Sequence, residues 1–439
     1  MKKLINILLV GLLVMLLSSG CMRTVDQMYR VPKRSDAYND LQSTIDTAMA
    51  GLSYCAPLTG ENQQTVQMAD MDGDGIQEYL LFAKSAEEHP LRILVFRRES
   101  GNFVHSDTVE CNGSAFDMVE YVDMDKEPGV EIVVGRQLSD QVIRSASVYT
   151  FAEGEMVQLV TVNYTKCLTT DFDGDNLAEL FLLRPGQTDT DNGIAEVYSM
   201  KSGALGRYNE VSMSQPVDML KRILVGKLDG GTTAVYTASA VGDNALVTDV
   251  YILADGILKN VTFSNESGTS VKTMRNYYVY ADDIDNDAVV ELPDLIPMKP
   301  LEDMTATDTH HLIRWYAMTP DGLENDKMYT YHNFVGGWYL QLHSEWAPRL
   351  AVRNVGYMYE FFIWDDTYKA YEKILTIYAL TGQNRNIQGQ TDARFVLYKT
   401  DSVVYAATLE ECAAEYGFDE ESVTYSFRLI QYDWKTGET

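Results

Sequence analysis

Four stretches of nine residues carry carboxylates at the same four places. They read DMDGDGIQE from Asp70 to Glu78, DMDKEPGVE from Asp123 to Glu131, DFDGDNLAE from Asp171 to Glu179 and DIDNDAVVE from Asp283 to Glu291. The first, third, fifth and ninth residues are acidic each time. The four sets are Asp70, Asp72, Asp74 and Glu78; Asp123, Asp125, Glu127 and Glu131; Asp171, Asp173, Asp175 and Glu179; Asp283, Asp285, Asp287 and Glu291. Four carboxylates brought together in one tight loop repel unless a cation lies among them. An all-oxygen donor set suits calcium, which takes six to eight oxygens at ~2.3–2.6 Å. The sharp turn needs a left-handed residue near the sixth place. Gly75 supplies it freely, Asn176 tolerates it, Ala288 adopts it at a cost, and Pro128 cannot adopt it. The first loop is therefore the best expected site and the second the weakest. Such a calcium would be saturated by protein and a water, which suits a structural ion.

A helix–loop–helix calcium hand starts with the same triplet, but it needs a carboxylate at the twelfth place and a helix after it. Here Leu81, Val134, Leu182 and Asp294 stand at that place, and strand-like runs such as Tyr79-Leu80-Leu81-Phe82 follow. The loops are expected to lead into strands.

The nonads recur. KLDGGTTAV, from Lys227 to Val235, fills the missing slot and keeps only Asp229, so first places fall at 70, 123, 171, 227 and 283. After each come an apolar strand, a strand ending in an aromatic (Phe96, Tyr149, Tyr198, Tyr251), a turn pair and a further strand. The turn pairs are Ser100-Gly101, Glu153-Gly154, Ser202-Gly203 and Asp255-Gly256. A looser fifth copy runs through Ile313-Arg314-Trp315-Tyr316 and Asp321-Gly322. One loop and several strands every fifty residues or so is the content of a propeller blade. The expected fold is mainly β: a propeller of about five sequence-visible blades over residues 60–335.

This pattern resembles the FG-GAP/VCBS class of calcium-loop propellers, also found in integrin α-subunits. The resemblance implies that the sixteen acids named above bind calcium and that the propeller presents a surface to an extracellular protein or glycan. The chain departs from the class by using Glu at every ninth place.

Outside the repeat, Leu41, Ile45, Met49 and Leu52 fall at helical spacing within residues 37–59. All five tryptophans (Trp315, Trp338, Trp346, Trp364 and Trp434) lie beyond residue 314. That shift places a boundary near 335 and a small α+β domain over 336–439. Its opening Gly337-Trp338-x-Leu-x-Leu…Trp346 distantly resembles PsbP-like domains. Rings at strand spacing are read as core rather than as a glycan platform.

At the other end, Lys2 and Lys3 precede an apolar run from Leu4 to Leu17, then Ser18-Ser19-Gly20-Cys21. A run of about 14 residues is short for a ~30 Å bilayer core and fits a secretory signal. The small residues before Cys21 resemble a bacterial lipobox. The resemblance implies cleavage of residues 1–20, lipid on Cys21, a tether over 21–36 and residence at the extracytoplasmic face of a membrane. Losing Lys2 and Lys3 takes the formal charge from −29 to −31, which repels nucleic acid. Cys55, Cys111, Cys167 and Cys412 have no metal-knuckle or redox spacing and are expected as free thiols.

No catalytic motif is present: there is no His-Glu-x-x-His, Gly-x-Ser-x-Gly, Walker loop or dinucleotide fingerprint. The adjacent His310-His311 pair would face opposite ways in a strand. The leading expectation is a membrane-anchored lipoprotein that binds a protein or glycan. The alternative is a polysaccharide-active enzyme or its accessory subunit, with a carboxylate pair outside the loops.

Overall fold

A computed structural model describes residues 36–430 apart from 139–142, 189, 202, 303 and 305–309. The signal segment, Cys21, most of the tether, Ser202 and Trp434 lie outside the described residues.

The described residues are mainly β and form six antiparallel sheets. Ser53–Tyr54, Val66–Ala69, Glu78–Lys84, Leu91–Glu99 and Asn102–Cys111 make the first sheet; Ala115–Val122, Glu131–Gln137, Arg144–Ala152 and Glu155–Tyr164 the second. Lys166–Thr170, Glu179–Arg184, Ile194–Lys201 and Ala204–Ser212 make the third, and Leu220–Lys227, Thr233–Val241, Ala245–Ala254 and Ile257–Asn260 the fourth. The fifth contains Glu291–Pro297, His311–Met318, Glu324–Asn333 and Trp338–Leu342, with Phe427–Leu429 added at its edge. Leu350–Val355, Met358–Asp365, Ala370–Leu380, Val404–Leu409 and Phe395–Lys399 form the sixth, in that spatial order.

Local chemistry explains the meander. Ser100-Gly101, Glu153-Gly154 and Asp255-Gly256 join third and fourth strands with both residues at positive φ, the backbone whose twist matches a tight hairpin. The strand aromatics Phe96, Tyr149, Tyr198 and Tyr316 each stand where the register to the next strand shifts. A bulge there adds twist to the sheet.

The sheets pack in series. Leu80, Phe82, Ile93 and Val95 of the first meet Phe116, Val119 and Ile132 of the second. Val133 and Val148 meet Leu180 and Leu182, Phe181 and Val197 meet Val235 and Tyr251, and Tyr236 and Val250 meet Leu292 and Tyr316. Tyr331, Trp338 and Leu340 meet Val352, Phe361 and Ile363 of the sixth sheet. Alternation along a strand sends the intervening Leu81, Ala83, Leu94 and Phe96 to the other face of the first sheet. There helix Asp36–Ala48 covers them with Leu41, Ile45 and Ala48, joined by Met49 and Leu52 beyond its end. No packing cluster among the described residues joins the sixth sheet to the first.

Two expectations change. Trp338–Leu342 completes the fifth sheet, so a boundary at 335/336 would cut through it. The chain also returns at the end: Phe427–Leu429 pairs with Trp338–Leu340, and Trp338 stacks on Phe427. Trp315 and Trp338 are almost fully buried, as core rings. Near the end of the chain Gly417 closes a 3-10 turn in the left-handed region, and Asp419 accepts from the Ser422 N–H at the start of helix Glu420–Ser426.

Candidate metal centres

Each complete nonad immediately precedes a strand that its ninth residue begins: Glu78–Lys84, Glu131–Gln137, Glu179–Arg184 and Glu291–Pro297. The second residue is apolar and buried: Met71, Met124, Phe172 and Ile284. Anchoring this side chain in the core turns its N–H toward the ninth-place carboxylate. Glu78, Glu131, Glu179 and Glu291 accept from it at 2.9, 2.9, 2.8 and 3.1 Å. These glutamates are 2, 5, 2 and 0% exposed, so four acids are held under the loops by a backbone donor each, joined at Glu131 by the Thr150 hydroxyl.

The first and third aspartates close over that glutamate. Asp70, Asp72 and Glu78 bring one oxygen each to within 4.8 Å of one another, as do Asp123, Asp125 and Glu131; Asp171, Asp173 and Glu179; and Asp283, Asp285 and Glu291. Among the described residues these are the groups able to hold a metal ion, and they fall in the four loops that the spacing singled out. The fifth-place acids lie outside the triads. Asp74, Glu127, Asp175 and Asp287 are exposed. Asp74, Asp175 and Asp287 each cap the N–H two residues on, at 2.7–2.9 Å. Lys327 also holds Asp287 at 2.8 Å, and Lys126 stands 3.8 Å from Asp175.

The turn backbone follows residue chemistry. Fourth and sixth places are left-handed in the first loop (Gly73, Gly75), the third (Gly174, Asn176) and the last (Asn286, Ala288). In the second loop Lys126 is left-handed, Pro128 is not, and the second such residue moves on to Gly129. Ala288 bears about 1–2 kcal/mol of strain for its conformation.

Without a cation these sites are electrostatically unfavourable. Burial pushes Glu78 and Glu179 up to about 7 and Glu291 up to about 8; the donated N–H opposes the shift and the neighbouring aspartates add to it. Glu131 moves the same way, burial first. Asp70 Oδ1 and Glu291 Oε1 are buried without a hydrogen-bond partner. Unpaired, desolvated carboxylate oxygens converging with two others fit a hard divalent cation bound through oxygen.

The degenerate loop shows what replaces a site. Leu228 is buried like its counterparts, but its N–H donates to the Thr232 carbonyl at 2.9 Å. Asp229 instead accepts from Asn325 at 2.5 Å. Spacing alone did not reveal that the loops touch. The Ala178 N–H donates to the Asp123 carbonyl at 2.7 Å, and the Val290 N–H to the Lys227 carbonyl at 2.9 Å. Both bonds run from the eighth place of one loop to the first place of the loop before it.

Among the described residues no histidine belongs to a group able to hold a metal ion, although His310, His311 and His332 line one small cavity. His310 bonds the Tyr331 hydroxyl at 3.1 Å, whereas His311 lies beside Tyr277. Cys55, Cys111, Cys167 and Cys412 are free thiols.

No family model matches the sequence, and no curated protein matches it. Among solved structures, the chain is similar to a protein from Lactobacillus plantarum at 11% identity, over 73% of this chain and 86% of that one, with a TM-score of 0.30. It is also similar to a rhamnogalacturonan lyase from Bacillus licheniformis, at 10% identity over 81% and 91% and a TM-score of 0.30. A third is an exo-β-1,3-galactanase from Phanerochaete chrysosporium, at 8% identity over 76% and 80% and a TM-score of 0.24. These scores are too low to carry a functional argument, which rests on the geometry of the loops.

Proposed function

We propose that this chain is a lipid-anchored, extracytoplasmic binding module. In it calcium fixes four inter-strand loops and so stiffens a propeller-like series of sheets that presents a surface to a protein or glycan. The observation that carries the calcium reading is the repeated triad of first, third and ninth carboxylates, each with its glutamate buried and accepting from the second-place backbone N–H. Calcium accepts irregular shells of six to eight oxygens, whereas magnesium demands a near-ideal octahedron. The triads would supply the charge, with loop carbonyls and water completing the shell. Such an ion is a clamp, and its binding free energy becomes folding free energy.

Thermal unfolding in millimolar calcium, in magnesium and in excess chelator tests this. The expected result is a transition raised by roughly 10 °C or more in calcium, a linkage of several kcal/mol, and little changed in magnesium. Coincident transitions in all three would sink the calcium reading. The anchor follows from Ser18-Ser19-Gly20-Cys21 after an apolar run. A Cys21→Ser chain is expected in the soluble fraction of the producing cell, and its retention in washed membranes would remove the anchor.

A further inference from the structure

The fifth sheet lacks the first strand that its predecessors have, and the cause is visible in the ladder. Asp282 and Glu291 exchange both backbone hydrogen bonds, at 3.1 and 2.9 Å. The next positions facing the same side are Pro293, Leu295 and Pro297, two of which lack an N–H. Pairing stops after one residue, and the incoming chain instead ties back to the fourth sheet through reciprocal 2.9 Å bonds between Leu246 and Arg275. Arg275 is buried and holds this detour by donating to Val279 O, Thr248 Oγ1 and Thr273 O at 2.5, 3.0 and 2.8 Å.

A groove opens where the strand would lie. Two cavities, of about 540 and 560 Å³, flank Tyr277 and Asn276, which line both. Tyr277 is 43% exposed, with its ring 5.1 Å from Phe334 and 6.3 Å from His311. The exposed amides of Asn244 and Asn276 stand beside it, and neither is engaged by another described residue.

The geometry points to this groove as a binding site for a neutral oligosaccharide laid across Tyr277. This narrows the binding role proposed above to one ligand class and rests on it. Sugar rings combine an apolar C–H face with hydroxyls. Exposed aromatic faces beside free amide donors and acceptors complement both. A peptide adding as a strand would find only the Leu295 N–H along Pro293–Pro297, too few donors for a ladder. On the wall Asp294 is paired with Arg314 at 3.6 Å and Arg275 stands opposite in sign, so it is the chain charge of −29 that opposes a polyanion.

The test is calorimetric titration of the full chain in calcium with cellohexaose, xylohexaose, β-1,4-galactohexaose and chitohexaose, and with polygalacturonate as the acidic arm. At least one neutral hexasaccharide is expected to bind. Tyr277→Ala should weaken it by about tenfold or more, Asn276→Ala by about threefold, and Tyr277→Phe by less than about threefold, since the ring supplies most of the contact. Tyr398→Ala, an exposed tyrosine on the sixth sheet, is the control and should leave binding unchanged. Binding of polygalacturonate alone, or of no saccharide, overturns the proposal while leaving calcium-dependent unfolding to decide the loop reading separately. Neutral binding that survives Tyr277→Ala, with Tyr277→Phe also unchanged, overturns the groove as the site.

Discussion

At the scale of single residues, the ninth-place glutamate carries the largest consequences. Glu179 is buried beneath Asp171 and Asp173 with one N–H to satisfy it. Its charge is needed with a cation present and harmful without one. Glu179→Gln keeps an oxygen for the Phe172 N–H and removes the charge. The variant is therefore expected to be less stable than the parent in calcium but more stable in chelator, by about 1 kcal/mol or more each way. Urea melts under both conditions check this, and a change of the same sign in both would count against a metal at the third loop. The nonad spacing located these glutamates, yet it gave no hint of their pairing with the second residue. That bond depends on Met71, Met124, Phe172 and Ile284 being driven into the core, which only a packed sheet can do.

At the scale of elements, the loops act as joints between sheets. Met71, Met124, Phe172 and Leu228 each sit in a cluster joining their own sheet to the next. Between the first two loops the backbones are so close that a Cβ on Gly129 would lie 2.2 Å from the Met71 carbonyl oxygen, and Gly129 is also at φ 111°. Gly129→Ala must then displace one loop from the other. The expected loss is about 2–4 kcal/mol in chemical unfolding, with calcium recovering little of it because the joint itself is broken. Full tolerance of the substitution would show that the loops do not bear on each other. The hairpin turns and the helix over Leu41 and Ile45 were legible in sequence because each is settled within a few residues. The contacts of the fifth-place acids could not be read in the same way. Asp287 is held by Lys327, forty residues on, and Asp74 and Asp175 serve their own turns.

At the scale of the whole molecule, four acid triads, each with its glutamate buried, in a chain of charge −29 make stability depend on pH when metal is removed. The folded-state values of Glu78, Glu179 and Glu291 lie above the ordinary carboxylate value, at about 7, 7 and 8. Between roughly pH 4.5 and 8 the native state therefore binds more protons than the unfolded chain, and stability falls as pH rises. In chelator the melting temperature is expected to drop from pH 5 to pH 8. In saturating calcium the trend should flatten or reverse, because protons then compete with the ion. A metal-free chain equally stable at both pH values would contradict the buried glutamates.

The amino-acid sequence by itself showed the acid loops, the left-handed residue at the sixth place of the first, third and last of them, the hairpin pairs and the mainly β character with its fifty-residue period. Tertiary structure alone decided that first, third and ninth acids form triads and that the described residues form six sheets. It also showed the chain's end returning to the fifth sheet and a groove replacing that sheet's first strand. Local order follows from backbone sterics and short-range hydrogen bonds. The rest depends on which distant side chains share a core: Trp338 finds Phe427 only after some ninety intervening residues have folded into a sheet of their own.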